Sequence, residues 1–447
     1  MYRFHFIWVL IFFWSCSKDA DDENLEINGN RFLSEVEWIK TFGGSGEDIG
    51  QAIIQTSDGG YAILGFSNSI DGDLQGKLLE VNDYWLLKLD ADGNVQWSKT
   101  YGGSKDDRGQ SLVQTMDGGY ALTGYAMSDD GDASVNQGFH DNWLLKLNAS
   151  GEIEWEKSYG FSGHDHSYDL LQTEDGGFFF TGFLDITSAL ADGYTEKGNT
   201  LARHGVGEFW GTKIDPLGDV EWRGYFGGTN NDRSHAVVRS EDGGFVMAGF
   251  SESDDFDISN PGGSYDFWLV KVDNTGTMAW ERSFGGTGIE ISYDIDNTLD
   301  GGYVVVGNTF STDGDVTESK GESDFWLLKV DGFGNLIWER TYGGSQFDAA
   351  QAVVSSKDGG YYVLGNSKSS DQDVSSNNGE NDIWILKTDE KGKLLWQSSF
   401  GGSHIDFGYD VVECEDGSVL LIGESQSVDF QGLESKGKSD LVLIKLR

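Results

Sequence analysis

A single sequence unit recurs along this chain, and this repetition limits the possible folds more than any other feature. Each unit carries three patterns in order: W-x-x-x-(Y/F)-G, then D-G-G, then (D/E)-x-W-x-x-K, with small departures such as D-G-S in the last unit. The first pattern starts at Trp38, Trp97, Trp155, Trp222, Trp280, Trp338 and Trp396, and most neighbouring copies are 58 residues apart. A period of this length is typical of repeat architectures such as propellers and solenoids.

Each unit predicts four short β-strands. In the first unit the runs QAIIQT, YAILGFS, YWLLKLD and VQWSKTY are rich in apolar and aromatic residues, and tight D-G-G and A-D-G-N segments join two of the pairs. Asp-Gly and Gly-Asn pairs favour the positive φ angles that hairpin turns need. Four strands repeated seven times predict an all-β, seven-bladed β-propeller with four-stranded blades.

The two ends of the repeat region predict how the ring closes. The last unit ends at Arg447 without its Trp strand, whereas the strand around Trp38 precedes any complete unit. We therefore expect the N-terminal strand to join the C-terminal blade, which removes a free sheet edge. The predicted propeller spans 35–447, with blades at 48–101, 107–159, 165–226, 232–284, 290–342, 348–400 and 406–447 plus 35–42. A solenoid is the alternative, but neither end resembles a cap.

These motifs also carry a resemblance to a known family. The succession of W-x-K-T-Y-G-G-S, D-G-G-Y-x-x-x-G and D-x-W-L-L-K-L-D-x-x-G-N resembles the bacterial secreted β-propeller repeat family, over residues 35–447. The resemblance implies a propeller fold. It implies no catalytic residues, because the family is defined by its scaffold.

The N-terminus resembles that of a bacterial lipoprotein. The stretch MYRFHFIWVLIFFWSC contains an apolar run that is too short to span a bilayer and lies where a secretory signal belongs. The resemblance implies a signal peptide over 1–15 and a lipid on Cys16. The following SKDADDE resembles the surface-export signal of Bacteroidota lipoproteins, which implies an outer-membrane anchor that faces the cell exterior. Residues 16–34 then form an acidic, flexible tether.

Charge and cysteine content exclude several classes of function. The formal net charge is −44, so the chain should repel nucleic acid. The second cysteine, Cys414, has no partner for a disulfide once Cys16 is lipidated. Its position in a strand predicts a buried, inert thiol.

Insertions concentrate on one face of the predicted propeller. The only variable spacing lies between D-G-G and the acid before the third strand, so every insertion falls in the loop between the second and third strands. That loop shares a face, here called the upper face, with the connections between blades. The third unit has the longest such loop, 184–208. Most histidines and several arginines also fall on the upper face of blades 2 to 4, which predicts a binding site there: His140, His164, His166, Arg203, His204, Arg233 and His235.

The sequence leaves three interpretations of this site open. Convergent imidazoles could bind zinc or another transition metal. A lyase or hydrolase could use His164, His166 or His235 as general base with Tyr168, and Arg233 to neutralise a substrate carboxylate. A polar patch for a ligand or partner is the third interpretation, and it is the one favoured by the sequence.

Acidic residues suggest two further possibilities. An acid at the start of each first strand could ring the central channel and bind a cation, or it could fix the loop between blades through backbone hydrogen bonds. Alternating acids in the upper loops resemble calcium-binding loops, although they lack the full twelve-residue pattern. The candidate ligands are Asp71, Asp73, Asp130, Asp132, Asp313, Asp315, Asp371 and Asp373. The sequence requires no cofactor, and calcium is the ion that these acidic loops suggest.

These features together predict a non-enzymatic cell-surface lipoprotein that acts as a binding or scaffolding module. We expect the upper face of blades 2 to 4 to contact an outer-membrane protein, for example a β-barrel, or a glycan. The protein would then be an accessory subunit of an outer-membrane complex. One alternative is a propeller that binds or degrades polysaccharide, and another is a calcium-stabilised adhesin.

Overall fold

The computed structural model describes residues 35–74, 76–185 and 207–447, and these residues form strands, turns and one short 3-10 helix at Phe430–Gly432. Their strands form seven antiparallel sheets of four strands each. This is the predicted seven-bladed, all-β propeller. No helix within the described ranges has the length and apolar character needed to cross a bilayer.

The strands follow the order of the repeats. Strand β1 (Val36–Phe42) precedes blade 1, which contains β2 (Asp48–Gln55), β3 (Tyr61–Ser67), β4 (Asp83–Leu89) and β5 (Val95–Tyr101). Blade 2 contains β6 (Asp107–Gln114), β7 (Tyr120–Ala126), β8 (Asp141–Leu147) and β9 (Ile153–Tyr159). Blade 3 contains β10 (Asp165–Gln172), β11 (Phe178–Leu184), β12 (Glu208–Ile214) and β13 (Val220–Phe226). Blade 4 contains β14 (Asp232–Arg239), β15 (Phe245–Ser251), β16 (Asp266–Val272) and β17 (Met278–Phe284).

The remaining blades repeat the pattern. Blade 5 contains β18 (Glu290–Asn297), β19 (Tyr303–Thr309), β20 (Asp324–Val330) and β21 (Leu336–Tyr342). Blade 6 contains β22 (Asp348–Ser355), β23 (Tyr361–Ser367), β24 (Asp382–Thr388) and β25 (Leu394–Phe400). Blade 7 contains β26 (Asp406–Glu413), β27 (Val419–Ser425), β28 (Asp440–Leu446) and the N-terminal strand β1.

The N-terminal strand closes the ring as predicted. Strand β1 pairs antiparallel with β28, in a register that places Trp38 opposite Lys445 and Phe42 opposite Leu441. Blade 7 therefore combines both ends of the repeat region. This arrangement pairs the outer edge of β28, which would otherwise expose unpaired backbone groups.

The hydrophobic core lies between neighbouring blades. The second and third strands of each blade are buried, and the third-strand tryptophans are shielded almost completely from solvent: Trp85, Trp143, Trp210, Trp268, Trp326 and Trp384. One cluster joins Ile63 of blade 1 to Leu441 and Leu443 of blade 7, so packing also crosses the closing junction. Cys414 is fully buried within this cluster.

A lysine and an aspartate are paired on the lower face of every blade. Lys88 lies 2.9 Å from Asp58, and Lys146 lies 2.8 Å from Asp117. The lysine ammonium is buried while the aspartate of the D-G-G turn is largely exposed. The recurrent third-strand lysine is therefore part of the scaffold, because a buried ammonium needs such a partner.

The acid at the start of each first strand also belongs to the scaffold. Asp48 is fully buried, and its Oδ2 accepts hydrogen bonds from the Gly44 amide at 2.7 Å and from the Ser69 hydroxyl at 2.8 Å. Burial raises the pKa of its carboxyl above the ordinary value. Its hydrogen bonds fix the connection between blades, and its burial disfavours the interpretation as a cation ring in the channel.

Candidate functional site

A backbone bridge between blades brings two histidines together. At the junction of blades 2 and 3, His140 precedes β8 and forms a parallel bridge with His164, which precedes β10. The His140 amide donates to the Gly163 carbonyl at 3.1 Å, and the His140 carbonyl accepts from the Asp165 amide at 2.8 Å. The same bridge occurs at five other junctions, so it is a property of the scaffold.

A third histidine completes a cluster, here called the His triad. His166 is the second residue of β10 and is partly exposed at the channel end of the inner strand. The Nδ1 atom of His140 lies 3.0 Å from Nδ1 of His164 and 3.1 Å from Nε2 of His166. The ligating atoms of the three residues all lie within 4.8 Å of one another. Among the described residues, this is the only group of three or more potential ligands that could hold a metal ion.

Aromatic rings and one phenol fix the orientation of the triad. Tyr125 stacks on His166 with ring centroids 4.0 Å apart and an interplanar angle of 14°. The Phe139 ring lies 4.6 Å from that of His164. The Tyr168 hydroxyl lies 3.3 Å from Nδ1 of His166. His166 is therefore held on one face by a ring and at one nitrogen by a hydroxyl.

Two of the three imidazoles of the triad, those of His140 and His166, are uncharged at neutral pH. Burial, reinforced by the neighbouring His164, lowers the pKa of His140 to about 4. Burial and the nearby imidazoles of His140 and His164 lower the pKa of His166 to about 2, and Arg233 and Arg108 add to this effect. Both imidazoles therefore offer a free lone pair at neutral pH.

Two arginines flank His166 in equivalent positions, and we call Arg108, His166 and Arg233 the basic sector. Each is the second residue of the inner strand in blades 2, 3 and 4. The Arg108 guanidinium lies 4.9 Å from the Phe66 ring, and that of Arg233 lies 4.2 Å from the Phe183 ring. Each member thus stacks on an aromatic ring of the preceding blade. For the two arginines this contact is a cation–π interaction.

His235 lies apart from the triad. Its Nδ1 lies 2.7 Å from the Ser292 carbonyl oxygen, and its ring stacks on Tyr293. Burial lowers the pKa of His235 to about 4. Tyr168 lies between the two sites, with its ring 5.2 Å from that of His235. The predicted site residues therefore form a triad around His140 and a separate His235 position, joined by Tyr168.

Three predicted residues cannot be placed. Arg203 and His204 of the long blade 3 loop, and Cys16 of the N-terminal segment, lie outside the described residues.

The upper-loop acids are bound to backbone amides of the connections between blades. Asp71, Asp130, Asp313 and Asp371 accept hydrogen bonds from amides 26 residues earlier, at 2.7 or 2.8 Å. Asp73, Asp132, Asp315 and Asp373 accept from amides 30 residues earlier, at 2.9 to 3.2 Å. The ammonium of Lys436 also lies 2.8 Å from Asp73. These contacts explain the recurrence of the acids, and calcium binding stays a prediction.

Exposed apolar side chains lie in the upper loops of blades 1 and 2, and one of them, Phe139, contacts the triad. Leu78 is 87% exposed and Leu79 is 49% exposed, beside a cavity of about 400 Å³ that the Gly102–Ser104 and Asp130–Asp132 segments also line. Val135 and Phe139 of the next loop are 50% and 52% exposed. Water-exposed apolar groups of this kind are typical of interaction surfaces.

The sequence analysis did not identify the ring neighbours of the triad or three acids in the channel. Tyr125 and Phe139 could have been noticed because an aromatic residue also occupies the Tyr125 position in blade 1, as Phe66, and in blade 3, as Phe183. Asp169, Asp294 and Asp410 occupy the fifth position of the inner strands of blades 3, 5 and 7, where the other blades have Ala or Ser. The signal was an acid at a strand position that otherwise holds a small, uncharged residue.

Comparison with known proteins yields limited similarity. No known family matches the chain. The regulatory protein FlaEY of Caulobacter vibrioides is 27% identical over 179 residues, which cover 37% of this chain and 18% of the length of FlaEY. Among solved structures, BamB of Moraxella catarrhalis is 11% identical with a TM-score of 0.42, covering 92% of this chain and 100% of that one. Sqt1 of Chaetomium thermophilum is 12% identical with a TM-score of 0.44, covering 86% and 83%. Neither structural similarity identifies a ligand or an activity.

Proposed function

We propose that this protein is a non-enzymatic binding module that recognises a partner protein through its upper face, around blades 2 to 4. The observation that carries the proposal is the exposure of Leu78 and Leu79 in the upper loop of blade 1 and of Val135 and Phe139 in the upper loop of blade 2, on the same face of a rigid ring as the basic sector. Loops on a rigid scaffold are the usual location of binding function.

The chemistry of this surface indicates the kind of partner. Apolar side chains gain free energy when a partner removes them from water. Guanidinium groups bind carboxylates through two parallel hydrogen bonds. Arg108 and Arg233 each use Nε for a bond within the protein, to Asp106 and Asn231 respectively. Their remaining N–H groups suit a partner segment that carries both apolar and acidic side chains.

The cellular setting is the second part of the proposal. The N-terminal stretch ending in Ser15-Cys16 supports a lipid anchor, and the acidic residues that follow support export to the outer surface. The repeat motifs support membership of the secreted β-propeller repeat family. A lipid-anchored module at that surface would meet outer-membrane proteins, and a β-barrel subunit is the partner we propose.

A polysaccharide-degrading activity is the second candidate, and the contact between His166 and Tyr168 favours it. However, a general base works best with a pKa near the working pH. Burial and the neighbouring imidazoles depress the pKa of His166 to about 2 and that of His140 to about 4. Binding is therefore the favoured function of this site. A reducing-end assay on a panel of acidic polysaccharides tests the alternative.

The test is a pull-down from detergent-solubilised outer membranes with the full-length chain and a C-terminal tag that contains no histidine. We expect stoichiometric recovery of one membrane protein, lost when Phe139 and Leu78 become Glu. The matched control is Phe333→Glu, because Phe333 is 74% exposed in a lower-face turn. Equal recovery by both variants, or recovery of this chain alone, would contradict the proposal.

A further inference from the structure

We propose that His140, His164 and His166 bind a transition-metal ion of the zinc class through three imidazole nitrogens, with at least one coordination position left open. This site adjoins the protein-docking surface proposed above, because His166 belongs to the basic sector and the Phe139 ring lies 4.6 Å from that of His164. Its support comes from the distances, the hydrogen-bond arrangement and the comparison among blades.

The distances suit coordination. With zinc–nitrogen bonds of about 2.0–2.1 Å, tetrahedral ligands stand roughly 3.3 Å apart. Two of the three separations in the triad are 3.0 and 3.1 Å, and all lie within 4.8 Å. His164 is exposed, so its ring can turn to shorten the longest separation.

The hydrogen bonds of the triad are incomplete without an ion. The Nδ1 atom of His140 faces nitrogens of both His164 and His166. A neutral imidazole nitrogen carries either one proton or one lone pair, so it can form one good hydrogen bond and not two. A cation that accepts the lone pairs of all three nitrogens satisfies the whole group.

The surroundings select the nitrogen that would coordinate. The Tyr168 hydroxyl can accept a hydrogen bond from Nδ1–H of His166, which leaves Nε2 unprotonated and directed at His140. Metal-binding histidines commonly donate their second nitrogen in this way, and such partners set the tautomer and the ring orientation. Tyr125, stacked on His166, limits rotation of the ring.

The other blades show that the scaffold does not require histidine at these positions. Residues equivalent to His140 are Asn82, Gly207, Tyr265, Ser323, Asn381 and Ser439. Those equivalent to His164 are Glu47, Asp106, Asn231, Ile289, Phe347 and Ile405. Those equivalent to His166 are Ile49, Arg108, Arg233, Ile291, Ala349 and Phe407. Only one junction has histidine, and it has histidine at all three positions, so the fold alone does not explain the triad.

The ligand type indicates the class of metal. Imidazole suits zinc, copper, nickel and iron, whereas calcium and magnesium prefer oxygen ligands. Three protein ligands with an open position resemble sites that bind a further ligand at the metal. A bound ion with an open coordination position would therefore act as a Lewis acid on the upper face, at the junction of blades 2 and 3.

The experiment is a calorimetric titration of full-length protein, freed of metal by dialysis against a chelator and carrying a tag without histidine. We expect Zn²⁺ to bind at one site per chain, unaffected by excess Ca²⁺. His140→Asn, His164→Asn and His166→Arg each introduce a residue that another blade carries at that position. Each should weaken binding more than about 100-fold, because even loss of an outer-shell partner costs roughly 10–100-fold.

Two further variants sharpen the test. His404→Ala is the matched control, since His404 is an exposed histidine on the upper face of blade 7 and should not affect binding. Tyr168→Phe should weaken Zn²⁺ binding about tenfold while the fold is kept. Circular dichroism checks the fold of each variant, and Co²⁺ should give the strong visible absorption of a tetrahedral site. Absence of binding by the wild type, or equal binding by the wild type and His164→Asn, would overturn the proposal.

Discussion

Replacing Asp410 by Asn should raise the free energy of unfolding at alkaline pH, and the gain over the wild type should grow as the pH rises. Asp410 lies on the inner strand β26, where its carboxylate accepts hydrogen bonds from the amides of Ile53, at 2.8 Å, and Val411, at 2.7 Å. Burial raises the pKa of this carboxyl from 3.8 to about 7, and the carboxylate of Asp169 adds to the rise. Asp294 adjoins the same group and has its own pKa raised, chiefly by burial.

The sign of the effect follows from linkage. A group whose pKa is higher in the folded state favours folding while it is protonated, and this contribution is lost as the pH rises through the folded pKa. A rise from 3.8 to about 7 corresponds to about 4 kcal/mol, of which about 3 kcal/mol develops between about pH 5 and pH 8.5. The Asp410 side chain is half-buried. Solvent screening therefore reduces this contribution to the free energy of unfolding to roughly 1–2 kcal/mol.

The assay is urea denaturation of the wild type and Asp410→Asn at about pH 5 and about pH 8.5. Asn resembles the protonated carboxyl, so the stability difference between the variants at low pH reports the altered hydrogen bonds and the small part of the protonation effect that has already developed at that pH. The increase in that difference between low and high pH measures the free-energy cost of ionising the Asp410 carboxyl in the folded protein. Asp92→Asn, in an exposed turn, removes the same charge and should show no such increase. A difference for Asp410→Asn that does not change with pH would refute the reasoning.

Three other outcomes follow from the scaffold. Deleting residues 35–42 removes β1 and exposes the edge of β28, so we expect a lower urea midpoint and concentration-dependent aggregation in light scattering. Gly65→Ala should cost about 3 kcal/mol in urea denaturation, because a Cβ would lie 1.8 Å from the Ile49 carbonyl oxygen. The contrast is Gly59→Ala, where no atom lies within 4 Å and only the positive φ of 79° disfavours Ala, at about 1 kcal/mol. Adding Ca²⁺ to chelator-treated protein should leave the melting temperature unchanged, because the loop carboxylates already accept hydrogen bonds from backbone amides. A saturable rise, lost in Asp130→Asn, would show calcium binding instead.

The fold was predictable because its determinants are local and repeated. Each strand has its own apolar run, the hairpin between the first and second strands of each blade has its own D-G-G or D-G-S turn, and the displaced Trp38 strand indicates how the ring closes. Hydrophobic pattern and turn chemistry act over a few residues. Because the same pattern occurs in seven repeats, each repeat independently predicts the same four-stranded blade. The pairing of β1 with β28 could be predicted because the last repeat lacks its fourth strand.

The site was predictable only in part, because its contacts cross blade junctions. The position of GHDH in blade 3 could be seen in the sequence, but its partner His140 belongs to blade 2 and is brought to it by the bridge with His164. His235 seemed equivalent to the others from its type and region, yet it hydrogen-bonds to the Ser292 carbonyl of blade 5. Residue type alone does not indicate which side of a blade an inner-strand side chain faces. Aligning the repeats position by position supplies that information.

The repeats also separate residues needed for folding from residues free to serve binding. An acid begins every inner strand, and a lysine on every third strand pairs with a D-G-G or D-G-S aspartate, so these positions have the same role in all blades. The second inner-strand position instead holds Ile, Arg, His, Arg, Ile, Ala and Phe in blades 1 to 7. This position is therefore not fixed by the scaffold, and in blades 2 to 4 its side chain stacks on an aromatic ring of the preceding blade. The same contact repeated in three adjacent blades makes the basic sector one continuous surface.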